Sequence, residues 1–238
     1  MKKVDIIIPV HNRLEHTIQT LDSLILNTDS ELFNLYVVDD KSNDHVYQEL
    51  EMYKRRAPIP FYLSHNFENI GPGASRNAIC NMIKEDRNRS KYLYHSDNDV
   101  YFKTGWLERL IQVYEYAENC QFKIKVLGAS CHPYLQSSER LPIPLGYIGL
   151  KDAVSGYSQF MTWETWEKYG PFDETMRGQE KKIMGSEDWA FCQKIVRDGY
   201  RVGSIEPEII VPCGKTNTYG EKATGHETFK EVAGVKIM

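Results

Sequence analysis

Several signatures that would assign a chemistry at once are missing from this chain. No G-x-G-x-x-G follows its first apolar run, which disfavours a dinucleotide-binding fold, and no G-x-x-x-x-G-K-[ST] occurs, so a P-loop is absent. The nucleophile elbow G-x-S-x-G is also missing, which leaves Ser/His/Asp hydrolysis without support. The five cysteines, Cys80, Cys120, Cys131, Cys192 and Cys213, are scattered and form no C-x-x-C pair. They read as free thiols and speak against a cysteine zinc site. No apolar run approaches the roughly 20 residues of a membrane-spanning helix. Near the N-terminus Asp5 interrupts the apolar run and Pro9 ends it, so the h-region of a secretory signal is lacking. A basic excess is lacking too: 29 Lys and Arg stand against 33 Asp and Glu, a net charge of −4. Nucleic-acid binding needs a basic footprint and is disfavoured. An anionic ligand has to be held locally, by backbone amides, a few Arg or Lys, or a bridging metal. The expected setting is cytoplasmic, with peripheral association at a membrane left open.

What is present is a chain of 238 residues, 41% of them hydrophobic, enough to bury a real core in one large domain or two small ones. The first hundred residues alternate strand-like and helix-like segments. Residues 4–10 form a nearly continuous apolar run, as in a strand buried on both faces. Leu14, Ile18, Leu21 and Ile25 then recur at helical spacing. Strands are expected at 33–38, 59–64 and 92–95, and helices at about 44–55, 74–84 and 104–118. Such alternation implies βαβ units and a mostly parallel open sheet with helices on both faces. The second half is less regular, with strands expected at 125–130, 155–162 and 201–205, and helices at 163–169 and 186–198. Pro133, Pro142 and Pro144 fall between the first two of those strands, and beyond Pro212 no periodicity survives. The expectation is one α/β domain over 1–238, with a Rossmann-like half to about 100, a less regular half to about 210, and a tail or lid over 211–238.

Polar clusters stand at three strand ends: His11-Asn12, Asp39-Asp40 and Asp97-Asn98-Asp99. In parallel sheets ligands bind beyond the carboxyl ends of strands, so three such clusters would share one edge. Asp97 and Asp99 can present oxygens to one hard cation, Mn²⁺ or Mg²⁺, or form an ordinary acidic turn. Asp39 suits hydrogen bonds from a nucleoside, or a solvated turn through Lys41-Ser42-Asn43. Residues 69–77 form a glycine-bearing loop that opens a helix, where backbone amides and Arg76 favour an anion or simply start the helix. Ser186-Glu187-Asp188 is equally good N-cap chemistry and a place for a general base. Trp163 and Trp166 fit a core, a groove lining or a platform for a sugar face; His132 and His226 are isolated.

Taken together, the pattern resembles the family 2-type glycosyltransferases of the GT-A fold over roughly residues 3–210. Pro9-Val10-His11-Asn12-Arg13 is similar to that family's opening motif, and Asp39-Asp40-Lys41-Ser42 to its DD-x-S. Asn69-Ile70-Gly71 with Ala74, Arg76 and Asn77 is similar to N-x-G-x-x-x-A-R-N. Asp97-Asn98-Asp99 falls where its D-x-D belongs, Gly170-Pro171-Phe172-Asp173-Glu174 resembles G-x-F-D-E, and Glu187-Asp188 stands at the ED motif.

The resemblance implies metal-dependent transfer of a sugar from a nucleotide-diphosphate-sugar, UDP-sugars first, to a hydroxyl of a glycan or lipid-linked acceptor. Pro9, His11, Asn12, Asp39, Asn69, Gly71, Arg76, Asp97 and Asn98 would hold the donor. Asp99 and Asp97, with His226 from the tail, would hold Mn²⁺ or Mg²⁺. Asp188, beside Glu187, would be the base of an inverting reaction, with Trp163 and Trp166 on the acceptor side. A retaining transferase and a non-catalytic nucleotide-sugar-binding module are the alternatives. A sugar-1-phosphate nucleotidyltransferase is disfavoured, because no glycines follow the first strand.

Overall fold

The computed structural model describes residues 2–86, 89–131, 135–176 and 186–214. In chain order its elements are β1 (Val4–Val10), α1 (Leu14–Leu26), β2 (Phe33–Asp39), α2 (Asp44–Arg56), β3 (Tyr62–His65), α3 (Pro72–Ile83), β4 (Tyr92–Ser96), β5 (Val100–Phe102) and α4 (Trp106–Asn119). They continue with β6 (Ile124–Gly128), β7 (Glu139–Ile143), β8 (Gly146–Lys151), β9 (Ser158–Thr162), α5 (Trp163–Tyr169), α6 (Glu187–Arg197), β10 (Arg201–Glu206) and β11 (Ile210–Pro212).

One sheet runs in the order β3-β2-β1-β4-β9-β6-β10-β8-β7. The pairs β3–β2, β2–β1 and β1–β4 are parallel, and only β9 and β8 run against the other strands. Every residue of β1 is buried, as its apolar run requires. Alternation along β1 feeds two cores. Val4, Ile6, Ile8 and Val10 pack with α1, α2 and α4 through Leu21, Leu24, Val46, Leu50, Trp106 and Leu110. Ile7 faces the other side, with Ile79 and Ile83 of α3, Trp163 and Trp166 of α5, and Phe191 and Ile195 of α6. Helices therefore cover both faces, as expected. Strand order reverses between β1 and β4, so the carboxyl ends of β2, β1 and β4 border the crevice where such sheets bind ligands.

Asp5 is the polar exception inside β1. Its Oδ2 accepts from the Ser90 backbone N–H (3.0 Å) and Trp163 Nε1 (2.9 Å), and its Oδ1 from Asn34 Nδ2 (2.8 Å) and Ser90 Oγ (3.0 Å). A buried carboxylate is tolerable only when its lone pairs are filled in this way. The four bonds tie β1 to β2, to the approach to β4 and to α5.

Three local expectations change. The proline-bearing stretch holds the hairpin β7–β8, and Pro142 is accommodated because β7 is the last strand of the sheet, where a missing N–H costs no ladder bond. Strand β9 begins at Ser158 and not at residue 155, because the Gly156 N–H is spent on the Asp188 carboxylate. Ile210–Pro212 leaves the expected tail and pairs antiparallel with β5, which carries the chain back to the D-x-D segment. The Trp163 indole donates into the core, so Trp163→Phe keeps a ring there but withdraws one donor from a charged acceptor. It lowers stability by about 1.5–3 kcal/mol, read as a lower urea midpoint at unchanged m-value.

Candidate active site

The sheet delivers three of its polar strand ends side by side. Asp39 is fully buried at the end of β2; its Oδ2 lies 2.6 Å from His65 Nδ1 at the end of β3, and its Oδ1 has no hydrogen-bond partner. His11, just past β1, places Nδ1 2.8 Å from the Asp40 carbonyl oxygen, and Asn69 Nδ2 lies 3.1 Å from its Nε2. Asn12 crosses to the next loop, its N–H donating to Ser42 Oγ (2.7 Å) and its Oδ1 accepting from the Asn43 N–H (3.1 Å). Asn12 and Arg13 both hold φ at 56°, and for arginine this left-handed conformation stores strain that the crossing hydrogen bonds must hold.

Asp40 organises the loop that follows β3. Its Oδ1 accepts from Asn66 Nδ2 (3.0 Å) and the Ile70 N–H (2.9 Å), and its Oδ2 from the Gly71 N–H (2.7 Å). Gly71 sits at φ 87°, a region that favours glycine, and releases the chain into α3. One and a half turns later Arg76 is almost wholly buried and donates through Nη2 to the Ser96 carbonyl oxygen (3.0 Å) and to Asp97 Oδ1. Asn77 exchanges hydrogen bonds with the Phe172 backbone and donates to Glu174 Oε1, which joins α3 to the segment beyond α5.

The two carboxylates of the D-x-D diverge. Asp97 pairs with Arg76 and keeps 42% of its side chain exposed, while Asp99 Oδ2 pairs with Arg13 Nη1 at 2.8 Å. Among the described residues no group of three or more His, Cys, Asp or Glu is placed to hold a metal ion. An all-protein cage is therefore lacking there. Two hard carboxylates still fit Mg²⁺ or Mn²⁺, which take one or two carboxylates and complete their shell with substrate phosphate oxygens and water.

Asp188, at the start of α6, accepts from the Gly156 N–H at Oδ2 (2.8 Å), and from Ser186 Oγ and the Trp189 N–H (2.8 Å) at Oδ1. Ser186 thus spends its hydroxyl on Asp188 and makes no capping bond to the helix backbone. Glu187 packs against α3, where a side chain on Gly73 would come within 3.0 Å of its Cγ. Burial pushes the Glu187 carboxyl above its ordinary 4.5; the charges of Asp188 and Asp97 add to this, while its own backbone N–H and Arg76 oppose it. Arg76, Asp97, Glu187 and Asp188 line one cavity of about 310 Å³, together with Pro72, Tyr157 and Leu135.

Some sequence-derived site residues are placed elsewhere. Asn98 is buried and donates to Thr17 Oγ1 (2.8 Å) of α1. Trp163 and Trp166 are not an acceptor platform; both are core residues, Trp163 bound to Asp5 and Trp166 stacked edge-on against His95 and Phe172. Pro9 is buried within β1 opposite Val38, beneath the site. His226 and most of the expected lid lie outside the described residues. Sequence reasoning named Asp40 and Arg13 only as members of motifs and Ser186 only as an N-cap, and it had no role for His65 and Gly156. The doubled Asp39-Asp40 held a signal for Asp40, since one of two adjacent carboxylates must turn to the neighbouring loop.

An acidic crevice at the switch point of a mostly parallel sheet, with a separate carboxylate on a later helix, defines a GT-A-type domain. The sequence pattern of glycosyl transferase family 2 matches residues 5–173, and the chain belongs to that family. The poly(ribitol-phosphate) beta-glucosyltransferase of Bacillus spizizenii is 30% identical over 123 residues, 51% of this chain and 18% of that protein. An uncharacterized glycosyltransferase of Rickettsia bellii is 30% identical over 113 residues, 48% of this chain and 15% of that protein. This chain thus matches less than a fifth of the length of these curated relatives. Among solved structures, the mannosyltransferase PcManGT from Pyrobaculum calidifontis, in complex with GDP-Man and Mn²⁺, gives a TM-score of 0.62 at 16% identity over 87% of this chain and 55% of that one. S. aureus TarS in complex with UDP-GlcNAc gives 0.61 at 18% identity over 87% and 57%. At these identities the structures establish the fold. No helix among the described residues is long and apolar enough to cross a membrane.

The Glu187 shift has a consequence for stability. A carboxyl whose folded pKa is raised keeps its proton longer in the folded state, so its contribution is full below the ordinary 4.5 and declines as pH rises through the folded value. Glu187→Gln removes that decline. The variant is more stable than the parent at pH 7, and the difference closes at pH 4 in paired urea titrations.

Proposed function

We propose that this domain transfers a sugar from a nucleotide-diphosphate-sugar to an acceptor hydroxyl, with inversion at C1 and with Asp188 as the base. The observation that carries the reading is the single cavity in which Arg76, Asp97 and Asp188 converge at the switch point. Membership of glycosyl transferase family 2 supports it, as do the GDP-Man and UDP-GlcNAc bound to PcManGT and TarS. UDP-sugars are the donors to test first.

The nucleoside end fits the ends of β1 and β2. Asp39 Oδ1 is a buried acceptor without a donor, a costly state that an N–H of the base or a ribose hydroxyl relieves. His11 and Asn69, already bonded to one another, wall the same side. The diphosphate end falls at Asp97 and Asp99, where Arg13 and Arg76 offset the carboxylate charge that would repel it. A divalent metal held by Asp99 with Asp97 would supply Lewis-acid stabilisation of the leaving diphosphate. Mn²⁺ in the PcManGT complex supports a metal of this class.

Asp188 has the arrangement of a base. A carboxylate offers about four lone-pair sites. Donors from Gly156, Ser186 and Trp189 fill three of them and hold the group rigid, which leaves one for an acceptor hydroxyl. That hydroxyl gives its proton to Asp188 as its oxygen attacks C1, and the C1–O bond to the diphosphate breaks on the opposite face. The transition state is oxocarbenium-like, as in glycoside hydrolysis.

Asp188→Asn keeps donor binding but lowers turnover at least ~10²-fold, the usual scale of positioned acid–base catalysis. Near-normal turnover in that variant removes Asp188 from the mechanism, and the anomeric configuration of the product, read by NMR, decides inversion. Calorimetry with UDP, with and without Mn²⁺, shows metal-dependent tightening in the parent and none in Asp99→Ala. Equal tightening in both takes Asp99 out of the metal site.

A further inference from the structure

A second and larger cavity lies beside the first. It measures about 580 Å³ and is built from the β7–β8 hairpin, the end of β10 and the segment just before β7. Leu135 lines both cavities and forms the wall between them. Volumes of this order are typical of small-molecule sites.

The floor is a closed polar network. Glu206 accepts from Ser137 Oγ at Oε1 (2.5 Å) and from Arg140 Nε at Oε2 (2.6 Å), and Lys151 Nζ stands 3.8 Å from Oε1. Burial raises the Glu206 carboxyl, but bonds to Ser137 and Arg140 outweigh it and hold the group below its ordinary 4.5. The network depends on a missing side chain, since a Cβ on Gly149 would collide with both Glu206 Oε1 and Ser137 Oγ. Lys151 also donates to the Leu135 carbonyl oxygen at 2.6 Å. The same cation therefore braces the floor of the second cavity and the wall it shares with the first. On the far side Glu208 accepts from the Cys131 N–H (3.3 Å), and Cys131 Sγ reaches Ser155, which lines the Asp188 cavity.

We propose that this second cavity is the acceptor subsite and that it takes an uncharged, polyhydroxylated glycan end. The assignment rests on the transferase reading, because only a reaction at Asp188 gives a neighbouring trough an acceptor to hold. Glu139, Glu206 and Glu208 stand against Arg140 and Lys151, and both cations are engaged by Glu206. Among the described residues a phosphate-bearing acceptor would meet a carboxylate majority with no cation in surplus. Sugar hydroxyls instead donate to the carboxylates and to Ser137 Oγ, and accept from the remaining N–H groups of Arg140 and Lys151.

The test is a printed array of uncharged oligosaccharides and polyol-phosphate oligomers, probed with the full chain in UDP and Mn²⁺. Uncharged glycans are the expected hits. Arg140→Ala, at an exposed position, and Glu206→Gln each weaken the strongest of them about tenfold, the effect of losing one charge-assisted hydrogen bond. UDP affinity by calorimetry changes less than about twofold in both variants, within ordinary mutational noise. Hits confined to polyol phosphates, no hits at all, or hits that survive both substitutions overturn the acceptor assignment. If the parent itself fails to bind UDP, the transferase reading falls; if UDP binds and the array result is negative, only the acceptor assignment falls.

Discussion

The Asp40 carboxylate, 2% exposed at the end of β2, accepts from the Asn66 side chain and from the backbone N–H groups of Ile70 and Gly71. Hydrogen bonds to a charged group contribute about 1.5–3 kcal/mol each, and a buried carboxylate cannot give them up cheaply. These three therefore fix the loop after β3 onto the end of β2. Because that loop ends at Gly71, they also fix where α3 begins. The position of Arg76 follows from the start of α3, and the setting of Asp97 follows from Arg76. Asn77, one residue on, carries the same placement to Phe172 and Glu174 beyond α5. A carboxylate outside the cavity lining thus sets the register of groups that line it.

The acidity of the chain takes on a specific form at the crevice. Asp97 and Asp99 do not stand together as an open acidic pair; Arg76 holds one and Arg13 the other. Arg76 is locked by burial, and Arg13 by its unusual backbone at the end of β1. Gly214 presses against the Asp99–Arg13 pair so closely that a side chain there would collide with Asp99. The Cys213 N–H is bonded to the Asp99 carbonyl oxygen at 2.7 Å. The described chain thus returns at its C-terminal side to the D-x-D segment. Sequence reasoning had no way to place residues 210–214 there, because a three-residue strand leaves no periodic trace.

The parallel half of the fold was legible because its signals are local and repeated. An apolar run buried on both faces, amphipathic helices at regular intervals and a polar cluster at each strand end are set by neighbouring residues, and the structure keeps all of them within a few positions. The β7–β8 hairpin was not legible, since prolines that read as loop are compatible with an edge strand and position in the sheet is a tertiary property. The inward placement of Asn98 and the two tryptophans was hidden for a related reason. Motif position placed Asn98 at the crevice, but side-chain direction gave it to Thr17. Aromatic character suggested a sugar platform for Trp163 and Trp166, while the structure packs both into the second core under the short α5.

Glu187 and Asp188 show how two adjacent carboxylates come to do different things. Successive helical residues point about 100° apart, so one faces α3 and the other faces β9. Glu187 meets the glycine-lined start of α3 and is desolvated there, with Asp188 and Asp97 as unfavourable neighbours. Asp188 meets three donors, two of them backbone N–H groups that cannot rotate away. A group held by fixed donors keeps one geometry, which is what the proposed role of Asp188 as base requires of it. The start of β9 at Ser158 belongs to the same arrangement, because a longer strand would have consumed the Gly156 N–H that holds Asp188 in place.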